Sequence, residues 1–287
     1  MVLSTDISFS SHLGVLWGTF IVRLKVISRY KGALFMDVLT PLFLAAMPIL
    51  LGQAMAGSTA AASANFQKNT GLSEANYIAF IIIGANVFSS IMTSFWLFGL
   101  FIRREQTLGT LESLFMSPAH KLSILAGLTL YVEARSLFTF VLGYALGCII
   151  FGVNPLQGQV LLALFILLLG LIPVNGLSFL LGALVLKVKQ ANTIFNTFQW
   201  PLAIISGVFF PVTVLPLFIQ LFAFMFPGFY VTHDIQAALT GLKWLFGNIF
   251  LDLGVLFAFA IICPLIGYWL FAKTEARSKR AEGIGQF

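Results

Sequence analysis

Residues 101–118 read Phe-Ile-Arg-Arg-Glu-Gln-Thr-Leu-Gly-Thr-Leu-Glu-Ser-Leu-Phe-Met-Ser-Pro, a charged stretch between two long apolar runs. The apolar runs are long enough to cross a membrane, whereas the charged stretch is not. Its leucines recur at helical spacing, and Pro118 ends the pattern. We therefore predict a short amphipathic helix over residues 103–117 that docks a soluble partner and passes force from it to the membrane spans. The alternative is a loop helix that only lies on the lipid surface.

The composition indicates an integral membrane protein. Of the 287 residues, 59% are hydrophobic and 9% are charged, and the mean hydropathy is +0.99. Soluble globular chains carry about 25% charged residues, so most of this chain must face lipid or other buried helices. At about 20 residues per span, the length accommodates about six spans and leaves no room for a sizeable soluble domain. We expect one all-α polytopic membrane domain over residues 1–287.

Six apolar stretches are predicted to be transmembrane helices. They cover approximately residues 33–53, 76–101, 121–151, 159–186, 191–211 and 247–271.

Two further segments are predicted to be helical without crossing the membrane. Residues 10–30 carry an apolar stripe, Trp17 and a basic end, which is typical of a helix lying in the membrane interface. An additional full span is the alternative there. Residues 212–245 are apolar but interrupted by prolines, which favours a pair of short re-entrant helices on the outer side, between spans 5 and 6.

The distribution of basic residues predicts the orientation of the chain. With both termini in the cytoplasm, 13 of the 16 Lys and Arg lie on the cytoplasmic side, as the positive-inside rule requires. The net charge of +6 is spread beside the spans, so it indicates contact with anionic membrane lipid and not with nucleic acid. We expect a multi-pass protein of the cell membrane, with residues 103–117 on the cytoplasmic side.

Two separated motifs resemble those of the type-2 export permeases of ATP-binding-cassette (ABC) transporters. The first is Arg104-Glu105 followed by Gly109-Thr110-Leu111-Glu112, and the second is Ser206-Gly207-Val208-Phe209-Phe210-Pro211 with Leu215-Pro216. The resemblance covers nearly the whole chain. It implies an ATPase-contacting coupling helix that contains Arg104, Glu105, Gly109, Thr110, Leu111 and Glu112. It also implies that the outer re-entrant motif contains Gly207, Phe210, Pro211 and Pro216.

The resemblance further implies an assembly of two permeases, identical or related, with two copies of a separate ATPase subunit. ATP and Mg²⁺ would bind to that partner, because this sequence contains no G-x-x-x-x-G-K-[ST] phosphate-binding loop. Zinc-protease and nucleophile-elbow motifs do not occur either. We therefore expect a non-catalytic permease subunit with no cofactor and no metal site of its own.

Two polar helix faces are candidates for the translocation path. They comprise Asn86, Ser90 and Thr93 of span 2, and Asn192, Asn196 and Gln199 of span 5. Polar groups facing lipid are costly, so these faces should meet protein or a water-filled path. Hydrogen bonding between helices explains the pattern equally well. By resemblance, spans 1, 2 and 5 lie near the permease–permease interface, which favours the path.

The cargo is inferred from the lining that the spans could offer. The sequence contains 31 Phe and few charges within the spans, which suits an amphipathic, drug-like or lipid-like cargo. A lipid-linked glycan is the alternative within the same family. Outside the family, the alternatives are an ATP-independent secondary carrier and a membrane scaffold.

Glu133 and Arg135 are two residues apart and do not face each other on a helix. Each is therefore expected to find a partner elsewhere or, for Arg135, to reach the inner surface.

Overall fold

The computed structural model describes residues 9–58, 63–64, 66–68, 76–109, 121–185 and 191–281. Within these ranges the chain forms ten bounded α-helices, one short 3-10 helix at Val212–Val214 and no strand. The helices are α1 Phe9–Arg29, α2 Lys31–Ala56, α3 Asn76–Gly99, α4 Phe101–Thr107, α5 Lys121–Phe151, α6 Val160–Val185, α7 Ala191–Ile205, α8 Leu217–Met225, α9 Pro227–Thr240 and α10 Ile249–Ala281.

Five of the described helices are long and apolar enough to cross a membrane: α2, α3, α5, α6 and α10. Their bounds lie close to the predicted spans, and the all-α polytopic class is confirmed. α1 begins and ends one residue before the predicted interfacial helix, and it is not among the five. The prediction of an additional full span at α1 therefore finds no support in the described helices.

The predicted span over residues 191–211 differs from the structure at its carboxyl end. It corresponds to α7, which has 15 residues in the described part of the chain. That length rises about 22 Å, which is shorter than the roughly 30 Å of membrane hydrocarbon. The helix ends because the chain turns at Ser206–Gly207, where Gly207 has a φ of +69°. Residues 186–190, which precede α7, are outside the described ranges.

α3 lies at the centre of the bundle, packed against α2, α5, α6 and α9. It is apolar around most of its circumference, and such a helix is stable when other helices cover it on every side. α6 lies between α3, α9 and α10, while α10 is at the periphery and leaves most of its apolar side chains exposed. This exposed apolar surface is suited to lipid.

Small residues allow α6 and α10 to approach each other closely. A Cβ atom at Gly176 would overlap the backbone of Cys263 and Pro264, and one at Gly267 would overlap the carbonyl oxygen of Gly176. Because lipid is as apolar as leucine, helices in membranes associate largely through such close packing. These two glycines therefore determine how closely α10 packs against α6.

Residues 212–245 form two short helices, as the prolines predicted. α8 and α9 are joined at Phe226, and Pro227 occupies the first turn of α9, where its missing N–H is tolerated. α9 is almost wholly buried, whereas α8 exposes most of its apolar side chains. α9 is therefore part of the core, and α8 lies beside it at the surface of the helix bundle.

α10 extends beyond the predicted end of the last span at about residue 271. It continues to Ala281 through the basic tail, which includes Lys273, Arg277 and Arg280. Alanine, lysine, arginine and glutamate are strong helix formers, so the tail continues the helix once the apolar part has started it.

Candidate functional site

α4 is the described part of the predicted coupling segment and continues the course of α3. The N–H of Leu100 donates to the carbonyl of Trp96 (3.4 Å), and the N–H of Arg104 donates to the carbonyl of Leu100 (2.9 Å). Leu100 is thus hydrogen-bonded both to the last turn of α3 and to the first turn of α4. A displacement of α4 is consequently a displacement of the end of α3.

The predicted helix over residues 103–117 is not continuous. α4 ends at Thr107, and Leu108–Gly109 form a turn in which Gly109 has a φ of +69°. This left-handed conformation is easily adopted by glycine and strained for other residues, so the glycine of the motif ends the helix. Thr110, Leu111 and Glu112 lie outside the described residues.

The two charged residues at the start of the motif have different surroundings. Arg104 is exposed, whereas Glu105 is only 8% exposed. A guanidinium nitrogen (Nη2) of Arg23, from α1, donates to Oε1 of Glu105 at 2.7 Å. The Arg23 guanidinium also lies 5.6 Å from the centre of the Phe101 ring. Glu105 thus connects α4 to α1.

Apolar packing reinforces this connection. Phe98, Phe101, Leu128 and Tyr131 form a buried cluster of α3, α4 and α5 residues, against which apolar side chains of α1 pack. Near the other end of α1, His12 Nδ1 is 3.2 Å from the Ser123 hydroxyl.

A glycine lets α1 lie directly on α5. A Cβ atom at Gly127 would contact the carbonyl oxygen of Leu16 at 2.5 Å. α1, α4 and the amino-terminal part of α5 therefore pack together as one unit. In the sequence, Arg23 belongs to the basic end of residues 10–30, and no local spacing connects it to Glu105.

The predicted path residues of α3 lie inside the subunit. Asn86 and Ser90 are buried, and Thr93 is half-buried. Their side chains donate to the carbonyls four residues earlier in the same helix, at 2.8, 3.1 and 2.9 Å. Asn86 faces the junction of α2 and α5, because Pro41 and Asn86 are both close to where a Cβ of Gly143 would lie.

The predicted path residues of α7 lie at a different place. Asn192 and Asn196 are exposed, and Gln199 is half-buried beside Met92 and Trp96 of α3. The two predicted polar sets thus have different neighbours within this chain.

The residues of the predicted outer re-entrant motif form a turn that precedes α8. Gly207 is buried with a positive φ, Phe210 is half-buried, and Pro211 and Pro216 precede the 3-10 helix and α8. Gln236 of α9 donates from Nε2 to the carbonyl of Phe80 (3.3 Å), and the Gly207 carbonyl is 3.5 Å from the same nitrogen. The amide of Gln236 therefore joins α9, α3 and the motif.

A cavity of about 240 Å³ opens beside this turn. Ser206 and Gly207 line one side, His233 and Gln236 line another, and Trp244 with its neighbours closes the third. The cavity is large enough for several water molecules or a small polar group.

One group of potential metal ligands occurs among the described residues. Ligand atoms of His233, Asp234 and Asp252 lie within 4.8 Å of one another. Asp252 accepts the N–H groups of Leu245 (2.7 Å) and Phe246 (3.0 Å), so it already holds the turn before α10.

Burial raises the pKa of Asp234 above the usual aspartate range, and the nearby charge of Asp252 adds to the effect. A hydrogen bond from His233 acts in the opposite direction. No sequence spacing indicated that Asp252 approaches this His-Asp pair.

Glu133 and Arg135 of α5 have partners on other helices, as predicted. Nε and Nη2 of Arg135 donate to one carboxylate oxygen of Asp37 on α2, at 2.8 and 2.6 Å, and Nη1 donates to the Tyr131 hydroxyl at 3.2 Å. The side-chain amide of Asn175 on α6 donates to Glu133 at 3.1 Å. These contacts tie α5 to α2 and α6, three helices that are long and apolar enough to cross a membrane.

A comparison with known protein families identifies the family of this chain. A family model described as "ABC-2 type transporter" matches residues 14–240, which is most of the chain. The chain belongs to the ABC-2 type transporter family. This ABC-2 type membrane protein is therefore a transmembrane subunit of an ABC-type transporter, and its resemblance to ABC permeases is confirmed. No curated protein sequence matches the chain significantly.

The match places both motifs within the ABC-2 type domain. It begins inside α1 and ends at Thr240, the last residue of α9. The coupling segment and the outer turn are therefore parts of the family domain, while α10 lies beyond the matched region.

Proposed function

We propose that this ABC-2 subunit forms the translocation path of an exporter, either with a second copy or with a related permease. Two separate ATPase subunits bind ATP and Mg²⁺ and drive the cycle. The subunit lies in the cell membrane with both termini in the cytoplasm and does not itself catalyse a reaction. The cargo is an amphipathic, drug-like or lipid-like molecule.

The attachment of α4 is the observation that supports this proposal. α4 continues α3, the central helix, and is held to α1 by Glu105 and Arg23 at 2.7 Å. Because close-packed interiors transmit displacement instead of absorbing it, a push on α4 reaches the bundle core and the interfacial helix together. A loop helix that only rested on lipid would not need these two connections.

The polar residues of α7 support a path that is completed by a second permease. Asn192 and Asn196 are exposed on the surface of the single chain. Polar side chains facing lipid are unfavourable, so another permease or the path itself should cover them. Asn86 and Ser90 would contribute to the path only if α2 and α5 moved away from α3.

The proposal is tested with charge reversals in the complete complex with its ATPase. Glu105→Lys places a second cation beside Arg23, and Glu112→Lys reverses the other acidic residue of the motif. We expect either change to reduce cargo-stimulated ATP hydrolysis at least about tenfold, the equivalent of about 1.4 kcal/mol of coupling. Glu74→Lys, between the first and second predicted spans, is the matched control and should leave it unchanged.

Each outcome distinguishes between functions. Unchanged stimulation in both variants would contradict the coupling role. Transport by the purified subunit in vesicles without any ATPase would instead establish a secondary carrier. Stimulation by a lipid-linked glycan, and not by amphipathic drugs, would replace the cargo assignment and retain the mechanism.

A further inference from the structure

A cavity of about 440 Å³ lies at the basic end of the bundle, apart from both polar helix faces. It is enclosed by α1, the start of α2, the end of α3, α4 and α5. Three arginines from three helices line it, Arg23, Arg104 and Arg135, together with Tyr30 and Tyr131. The convergence of three guanidinium groups on one cavity indicates an anionic ligand.

Among the described residues that line the cavity or pair with its arginines, one positive charge is left uncompensated. The Asp37 carboxylate pairs with Arg135, and the Glu105 carboxylate pairs with Arg23. Arg104, the third arginine, is exposed. A singly charged phosphodiester would balance the remaining charge.

The paired arginines retain donors for such a group. A guanidinium has five N–H donors in a fixed planar arrangement. Arg23 uses one in its recorded bond to Glu105, and Arg135 uses three with Asp37 and Tyr131. The Tyr131 hydroxyl accepts a hydrogen bond from Arg135, so its own hydrogen can be donated to a phosphate oxygen. Arginine is the residue best matched to phosphate geometry.

The remaining walls are apolar and lead towards the hydrocarbon region. Leu97 and Leu128 line the first cavity, and a second cavity of about 430 Å³ adjoins it and shares Ile27 and Arg135. Phe138 of α5 lines the second cavity and is exposed.

The outer surface of α5 continues this apolar route. Val141 and Leu142 follow Phe138 at helical spacing and are exposed as well. All three residues belong to the membrane-crossing part of α5. A ligand with a phosphate between the arginines could therefore extend acyl chains along α5 into the bilayer.

We propose that this cavity binds the head group of one anionic glycerophospholipid, with its phosphate among Arg23, Arg104 and Arg135 and its acyl chains along α5. The lipid is a resident ligand that joins α1 and α4 to the bundle, and it is not the transported cargo. The site requires only that the chain lies in a membrane. It therefore stands or falls independently of the proposed coupling to an ATPase.

The test measures lipid retention by the purified, delipidated subunit in detergent. Phosphatidylglycerol and phosphatidylcholine are titrated separately, and the bound lipid is counted by native mass spectrometry. We expect one phosphatidylglycerol per subunit to be retained in preference to phosphatidylcholine. Arg104→Gln should weaken this binding about tenfold, the order expected when one charge-assisted hydrogen bond is lost. Tyr131→Phe should weaken it several-fold.

Arg29→Gln is the matched control, because Arg29 is exposed on α1 and lines neither cavity. It should change the affinity less than twofold, and unaltered circular dichroism confirms that each variant is folded.

Equal loss of lipid binding in Arg29→Gln and Arg104→Gln would show general attraction to surface charge and overturn the site. Equal retention of phosphatidylcholine would also overturn it. Thermal stabilisation by inorganic phosphate to the same extent as by lipid would identify a free-anion site and refute the lipid assignment.

Discussion

Replacing Glu105 with glutamine removes the negative charge that holds α4 against α1 but preserves the shape of the side chain. Glu105 and Arg23 are 2.7 Å apart, and their side chains are 11% and 24% exposed. Solvent-exposed ion pairs contribute about 0.2–1 kcal/mol, whereas breaking a fully buried pair costs about 3–5 kcal/mol. This pair lies between those limits, and the Arg23 side chain is sufficiently exposed to recover some hydration.

We therefore expect Glu105→Gln to lower the free energy of unfolding by about 1.5 kcal/mol. In a double-mutant cycle with Arg23→Gln, the interaction energy between the two residues should be about 1 kcal/mol. The cycle removes the effects of each substitution on its other neighbours, including the Phe101 ring beneath Arg23.

Unfolding is measured in mixed micelles of dodecyl maltoside and sodium dodecyl sulfate by near-ultraviolet circular dichroism. Trypsin cleavage after Lys31, the first residue of α2, reports the release of α1 separately. Arg29→Gln is the control, because it removes a charge from an exposed position on the same helix. An interaction energy below about 0.3 kcal/mol, within the additivity expected of unconnected sites, would refute the idea that this ion pair ties α4 to α1.

Three further changes test the fold around the outer turn, each by thermal unfolding in detergent. Gly84→Ala should destabilise the protein by about 1–3 kcal/mol through overpacking, because its Cβ would overlap the carbonyl of Val208, whereas Gly254→Ala should not, since no atom lies within 4 Å. Asp252→Ala should cost about 2–3 kcal/mol, because two backbone N–H groups lose their acceptor. Asp234→Asn should match the wild type at acidic pH and become the more stable protein as pH rises, because the raised pKa of Asp234 makes its ionisation unfavourable in the folded state.

A specific result would contradict each of these three predictions. Equal effects of the two glycine substitutions would mean that α3 does not approach the outer turn as described. A harmless Asp252→Ala would mean that the turn before α10 finds other acceptors. A stability difference for Asp234→Asn that does not change with pH would exclude ionisation of this carboxyl as its cause.

Five of the six membrane spans could be predicted to within a few residues because lipid imposes one simple requirement. A stretch of about 20 apolar residues must be helical to satisfy its backbone in hydrocarbon. α5 and α6 therefore begin and end almost where the apolar runs do. The short helices α8 and α9 were predictable for the opposite reason, since prolines interrupt an apolar segment there.

In the predicted coupling segment, the helical spacing of the leucines led to a wrong prediction of where the first helix ends. The leucine spacing across residues 108–115 predicted one helix, but a positive φ at Gly109 ends α4 before that pattern is complete. A glycine inside an amphipathic pattern is consistent with either a tolerated interior residue or a helix terminator. Local sequence does not distinguish between these two possibilities.

Composition and hydrophobic pattern alone establish that this chain is a helical membrane protein, where five of its spans lie and which family motifs it carries. Which charges meet depends on the folded arrangement: Arg23 pairs with Glu105, 82 residues away, and Arg135 pairs with Asp37, 98 residues away. Hydrophobicity and helical period are local properties, since each residue is selected by lipid and by its own turn of helix. Ion pairs and cavities depend on how helices cross, and that is set by the packing of small residues on distant segments.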